Sequence, residues 1–356
     1  MSKFSKSINE AEVQETEVQG TETEVQAPET EGKGLVDINK GPEEVLKALI
    51  PNFAPASPGE EKVYELPEEL RKKLLSGRED GQTDDEKVTL TEATVKAGSL
   101  IPTQANIDID KSLADQIYHL YGNLEVALNG SVSLSPEAPE KGMVKSKAGQ
   151  FPILTFKNKF IIDGHHRWSQ VCMTNPDCDL KIANINVSGV EDPKAIQALC
   201  HVILLAVYGK SVVKNVAGAN LLEQSPEAIK AAVLEGKGMK SAEPISEESL
   251  KLLNEAYKKT NGKVGIEEPT KEKAAELYAK NLEVLKKLGS QAPVKIPRAF
   301  MPQPADSGDP AQFTIGGAVN KSDAITKAAN AVVNFKAPFE SKVIKTYEKF
   351  IQKYKK

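Results

Sequence analysis

Aromatic residues make up only 5% of this 356-residue chain, and no excess of basic residues stands ready for phosphate: Lys and Arg number 46 against 50 Asp and Glu, a formal net charge of −4. A weakly acidic chain with few rings lacks both the positive field and the stacking surface of a general nucleic-acid binder, so nucleic acid is not a favoured partner. Cysteine is scarce too. Cys172, Cys178 and Cys200 are odd in number and form no Cys-x-x-Cys pair, which argues against a disulfide framework or a structural zinc site and for a reducing compartment. The longest apolar run, Val202 to Val207, is far shorter than a bilayer span, and Met1-Ser2-Lys3 leads into no apolar signal core. A cytoplasmic protein with no membrane partner is therefore expected. The sequence also has no Walker A loop, no dinucleotide fingerprint and no Gly-x-Ser-x-Gly elbow, which leaves P-loop, NAD and serine-hydrolase chemistry without support.

What is present divides the chain into four regimes. Residues 1–33 repeat Glu-Val-Gln at Glu12, Glu17 and Glu24 in a setting of Glu, Thr and Gln. Such a segment buries too little to offset its ordering entropy, so a disordered acidic tail is expected, with docking on a protein partner, or a propeptide clipped before Gly34, as its functional alternatives. Residues 34–87 read as a helical lead-in: Pro42-Glu43-Glu44 and Pro67-Glu68-Glu69 each place Pro and acids at a helix start, and Pro51, Pro55 and Pro58 separate the two. Residues 88–208 alternate strand and helix. Val88 to Thr91, Pro152 to Phe156, Phe160 to Ile162 and Leu180 to Val187 are strand-like. Asp110 is placed to cap a helix carrying Leu113 and Ile117, and Asp192-Pro193 to start one striped by Ile196, Leu199, Ile203 and Val207. Between them, residues 130–149 form a long Gly/Ser/Pro-rich loop of the kind that covers a site. Residues 209–356 read as a helical C-terminal region, with starts at Ser225, Ser246, Thr270 and Pro338 and an extended Arg298 to Pro304. Its last helix has a Lys-rich face, since residues 336–356 hold seven Lys against two Glu. The expected class is α+β, an α/β domain with a helical C-terminal extension.

The chemistry concentrates at Ile162-Asp163-Gly164-His165-His166-Arg167-Trp168. A buried strand breaks at Asp163-Gly164, Asp163 is placed to cap the next helix, and Trp168, Val171 and Cys172 give that helix a face to bury. A strand, a glycine turn and a helix N-terminus present amide hydrogens at the positive end of the helix dipole, which suits a phosphate. Two imidazoles and a guanidinium in the same turn add to that, and Asp163 could hold Mg²⁺ or Mn²⁺ or accept a proton.

The order Leu100-Ile101-Pro102-Thr103-Gln104, helix, strand, hairpin, Asp163-Gly164-His165-His166-Arg167, strand and helix resembles the ParB/sulfiredoxin superfamily, in particular ParB-like nucleases with an Asp-Gly-His-His-Arg signature. The likeness covers about residues 90 to 208. It implies a Gly-x-x-Arg turn that binds nucleotide phosphates, as partition proteins bind CTP, sulfiredoxin ATP and archaeal free-serine kinases ADP. By that resemblance Gly164, His165, His166 and Arg167 hold phosphate, Asp163, His165 and His166 are the catalytic candidates, Asp163 is the metal ligand, and Thr103 and Gln104 face the nucleotide. His165 stands where sulfiredoxin carries its reactive Cys, so sulfinic-acid reduction is not implied. The downstream helices lack the basic character of a partition protein's helix-turn-helix. Three functions follow: metal-assisted phosphoryl transfer or phosphodiester hydrolysis (a kinase or nuclease), a non-catalytic interaction protein such as a bacteriophage component in host cytoplasm or virion, or a DNA-binding partition factor.

Overall fold

The strand–turn–helix at residues 160–174 gives Ile162 to one buried core and Ile161, Trp168, Val171 and Cys172 to another. In the computed structural model the described residues are 37–75, 89–113, 153–187, 190–215, 217–238, 244–247, 249–251, 253, 270–302, 332–333 and 339–340. The acidic repeats, the 130–149 loop and residues 341–356 of the expected last helix lie outside them. The described residues belong to one unit, Gly34–Lys356, and its architecture is mixed α+β.

A five-stranded sheet runs in the order β2 (Thr89–Lys96), β6 (Asp179–Asn186), β4 (Ile153–Phe156), β5 (Phe160–Asp163) and β3 (Ile101–Pro102). β4 and β5 form the expected hairpin, whose turn holds Lys157 and Asn158 at φ 55° and 52°, the left-handed pair that matches strand twist. β3 lies parallel to β5, and β4 parallel to β6.

Side chains alternate across this sheet. Leu154, Phe156, Ile162, Ala183 and Ile185 join a core with Val45 and Leu46 of α1 (Pro42–Leu49) and Ile196, Leu199 and Cys200 of α4 (Pro193–Tyr208). Ile153, Ile161, Leu180 and Ile182 enter a second core with Trp168, Val171 and Cys172 of α3 (His165–Thr174), Val233 of α5 (Pro226–Glu235) and Tyr278 and Leu282 of α6 (Lys271–Ser290). Helices thus cover both faces, and the period of two seen in the sequence sorts each strand residue to one core.

Several helix limits follow the local chemistry expected of them. Asp192, Ser225 and Thr270 each cap with the side chain, on the amides of Lys194, Ala228 and Lys273. α3 ends at Asn175 before Pro176. Four expectations are corrected. The lead-in is not wholly helical: before α2 (Glu68–Leu75), strand β1 (Glu61–Glu65) pairs antiparallel with β7 (Lys210–Lys214), which also puts a strand at the start of the region read as helical. The helical turn at 109–113 is capped by Asp108, whose Oδ1 accepts from the Asp110 amide at 2.9 Å; Asp110 lies inside it. Arg298–Phe300 is a 3-10 turn rather than extended, because Pro297 at its start is compatible with helical geometry at the residues that follow. Phe339–Glu340 is a short strand paired with Val332–Val333 rather than a helix start.

One buried contact ties α6 to α3. Asn281, in the middle of α6, donates through Nδ2 to the carbonyls of Met173 (2.7 Å) and Thr174 (3.2 Å), groups that the end of α3 leaves without helical donors. Replacing Asn281 with Leu strands both acceptors in the core. The expected cost is roughly 1–3 kcal/mol, read as a lowered urea midpoint with unchanged slope; an unaltered midpoint would show that the tie carries no weight. Among the described residues no helix is long and apolar enough to cross a membrane.

Candidate functional site at the Gly164 turn

β3 leaves the sheet after Pro102, and β5 continues past it to Asp163. Beyond that point β5 keeps β4 on one side but among the described residues has no strand on the other, and side chains take its place there. The Thr103 hydroxyl donates to Ile161 O at 2.5 Å, and Gln197 of α4 donates through Nε2 to Ile162 O at 2.9 Å and to Thr103 Oγ1 at 3.1 Å. Gln197 is fully buried and both its amide hydrogens are spent, while its Oε1 meets no donor. A buried acceptor of this kind calls for a water or a ligand hydroxyl or amine.

Gly164 turns the chain with φ 98° and ψ 21°, and the helix starts at His165. The N-cap position is therefore Gly164, with no side-chain cap, and the expected capping by Asp163 is corrected: its Oδ2 lies 2.9 Å from Nη2 of Arg167 one helical turn on. A Cβ at residue 164 would lie 2.9 Å from both that Nη2 and Ile153 Cδ1, so the guanidinium folds back across the turn and only glycine fits under it.

The imidazoles have a different role from the expected one. His165 is 3% exposed, and its Nε2 accepts the backbone amides of Thr103 and Gln104, each at 3.1 Å. Nε2 of His166 accepts the Asp108 amide at 3.2 Å. An amide nitrogen can only donate, so both rings are neutral and carry their proton on Nδ1. Burial pushes the His165 pKa down to about 3, helped by the positive charges of Arg298 and then Arg167. His166 is lowered by burial, with Arg298 and Lys111 next. The pair therefore adds no cationic charge to the turn, and among the motif's side chains only Arg167 brings positive charge there. What the rings do is fasten the segment 103–108. Further backbone groups of the segment are held too: the Ala105 amide by Ile296 O (2.8 Å), the Ile107 amide by Asn220 Oδ1 (3.1 Å) and the Ala105 carbonyl by Asn220 Nδ2 (3.2 Å). An irregular segment can be buried only if its backbone is satisfied, and two histidines and an asparagine do that here.

Thr103 and Gln104 do sit at the turn, at 0% and 1% exposure. Gln104 Oε1 accepts from Arg298 Nη1 at 2.9 Å. Arg298 and Asn220 are thus site residues that the sequence reading did not pick. They arrive on segments far along the chain, brought in by the bridges Gln104↔Ile296 and Asp108↔Asn220. Gly218 belongs to the same assembly, since a Cβ there would lie 2.6 Å from Asp108 Cγ.

Asp163, the expected metal ligand, is engaged by a guanidinium, and among the described residues no three His, Cys, Asp or Glu side chains group as ligands. The donor set fits a divalent ion only in the way Mg²⁺ commonly binds, with one carboxylate and the oxygens of a phosphate ligand. The three thiols are buried, and burial raises the pKa of each; Cys178 reaches about 12, so none is poised as a thiolate. No protein-family model, curated protein or solved structure matches the chain.

Proposed function

We propose that the Gly164 turn binds the phosphates of a nucleotide (ATP, ADP or CTP) with Mg²⁺ or Mn²⁺, and that the protein is a ParB-like nucleotide-binding protein whose chemistry is phosphoryl transfer or phosphodiester hydrolysis. The observation that carries this is the convergence at one glycine turn of the N-terminus of α3, the Arg167 guanidinium and a segment bearing Thr103 and Gln104. It lies at the carboxyl end of the parallel pair β3 and β5, the usual place for ligands in sheets of this kind. Phosphoryl chemistry needs mostly positioning and fixed charge, and this turn supplies both from a rigid scaffold. Neutral imidazoles with Nδ1–H are donors to phosphate oxygen rather than bases, so Asp163 is the residue of the motif left to hold the ion or accept a proton.

The test is thermal stability of the full chain with each nucleotide and Mg²⁺. Saturation near 100 times the dissociation constant adds about 2.7 kcal/mol, several degrees, and Arg167→Ala abolishes the rise. Absence of any shift with millimolar nucleotide would overturn the proposal.

A second reading has an observation of its own. The side chains of the motif are used inside the protein: Asp163 on Arg167, and His165 and His166 on backbone amides. That is what a non-catalytic interaction or structural protein, such as a bacteriophage component, would make of the same fold. Normal assembly of the protein without any nucleotide dependence favours it. A partition-type DNA-binding role is supported by neither the −4 net charge nor the site.

A further inference from the structure

We infer that β2 is a self-pairing edge: two copies of this chain join their sheets by antiparallel β2–β2 contact about a two-fold axis at Thr94. The inference is independent of the phosphate reading.

The ladder fixes which backbone groups are left over. β2 ends the five-stranded sheet, and among the described residues its one strand neighbour is β6. Lys96 faces Asp179, and one step further the Ala97 amide donates to Cys178 O at 2.9 Å. Bonded pairs alternate along an antiparallel ladder, so Ala93 and Val95 turn their N–H and C=O groups to β6, while Glu92, Thr94 and Lys96 turn theirs outward. The side chains of those same three residues are exposed. At eight residues, β2 is an edge long enough to take a further strand.

Side chains select the partner and the register. With the axis at Thr94, Thr94 faces its own copy and Glu92 faces Lys96 in both directions; on the other face of the sheet Ala93 meets Val95. Ala93 and Val95 are half-buried at the margin of the second core, so the same pair from a second copy continues that core. Centring on Glu92 would set two carboxylates opposite each other, and centring on Lys96 two ammonium groups. Centring on Ala93 or Val95 sets neither charge opposite its counterion. Lys96 already holds Asp179 at 2.6 Å, but an exposed ammonium has three donors and serves both carboxylates. Its carbonyl accepts from Ser99 Oγ at 2.7 Å and keeps a second lone pair for the new ladder. Such a contact is isologous and closes after two copies. The Gly164 turn follows β5, at the other end of the sheet, so the junction leaves both turns at the far ends of the joined sheet.

The experiment is sedimentation equilibrium of the full chain over a range of concentrations. The parent is expected to approach twice the chain's mass in the micromolar range. Thr94→Pro removes an amide that β6 does not use, so it keeps the fold and should give a monomer throughout. Glu92→Lys and Lys96→Glu each set like charges opposite and should weaken association by roughly ten-fold or more. The double exchange restores opposite charges and should return association to within about three-fold of the parent. Unfolding curves identify the variants that fold, and if Thr94→Pro does not, the charge exchange decides. A parent that stays monomeric overturns the proposal. A dimer unmoved by the folded variants also overturns it, because the contact then lies elsewhere, and so does growth beyond two copies.

Discussion

Replacing His165 with Leu is expected to destabilise the protein by roughly 2–4 kcal/mol, because it leaves the amides of Thr103 and Gln104 buried with no acceptor. The ring volume is nearly kept, so the loss would come from polarity and not from a cavity. His165→Gln restores a carbonyl oxygen of similar reach and should recover part of the difference. Denaturant unfolding of the three proteins measures this directly. A Leu variant as stable as the parent would mean that the imidazole is not the clasp of the 103–108 segment. The outcome also bears on function: a residue whose removal unfolds the loop cannot be assigned a catalytic role from lost activity alone.

Acidification is expected to weaken the fold steeply between about pH 6.5 and 5. Burial lowers the pKa of His165 to about 3 and of His201 to about 4, and lowers that of His166 as well. His201 is fully buried between Ser211 Oγ (3.2 Å) and Phe300 O (2.9 Å). In the unfolded chain these imidazoles titrate near pH 6.5. Above that value both states are neutral and the groups contribute no pH dependence. Below it the unfolded state takes up protons that the folded state refuses, so stability falls as pH falls, by up to about 1.4 kcal/mol per pH unit for each imidazole. The fall from His165 ends near pH 3, where the folded ring protonates too. Carboxylates titrate mostly below pH 5, so the range from 6.5 to 5 isolates the histidines. The check is the unfolding free energy across that range, with His165→Gln giving a shallower slope. A flat profile in the parent would show that the rings are not held neutral.

Much of the central fold is legible in the sequence because its signals are local. Ile161 and Ile162 go to opposite cores as successive residues of a strand must, Lys157-Asn158 supplies the left-handed turn, and Trp168, Val171 and Cys172 share the buried face of α3. The motif was likewise found where it stands, at the break between strand and helix. Its inner chemistry was not legible. The acceptor role of His165 depends on amides more than sixty positions earlier in the chain, and nothing in Asp163-Gly164-His165-His166-Arg167 shows that Arg167 folds back onto Asp163 rather than outward. Asp108 and Asp110 flank Ile109 with equal claims to the cap, and the bridge from Asp108 to Asn220 decides between them. The ribbon strand Glu61–Glu65 was missed for a related reason. Its residues are mostly charged and half exposed, and only Lys210–Lys214, supplied much later, gives it a partner.

That late partner bears on the order in which the protein can be made. As the chain leaves the ribosome, Glu61–Glu65 has nothing to pair with until residue 214 has emerged, and Val45 and Leu46 have no α4 to rest on. Closing so wide a span is slow compared with forming the hairpin at residues 153–163. The early helices therefore wait on the middle of the chain. A gene fragment ending at Tyr208 would leave Glu61–Glu65 without its mate and should be the first truncation to aggregate.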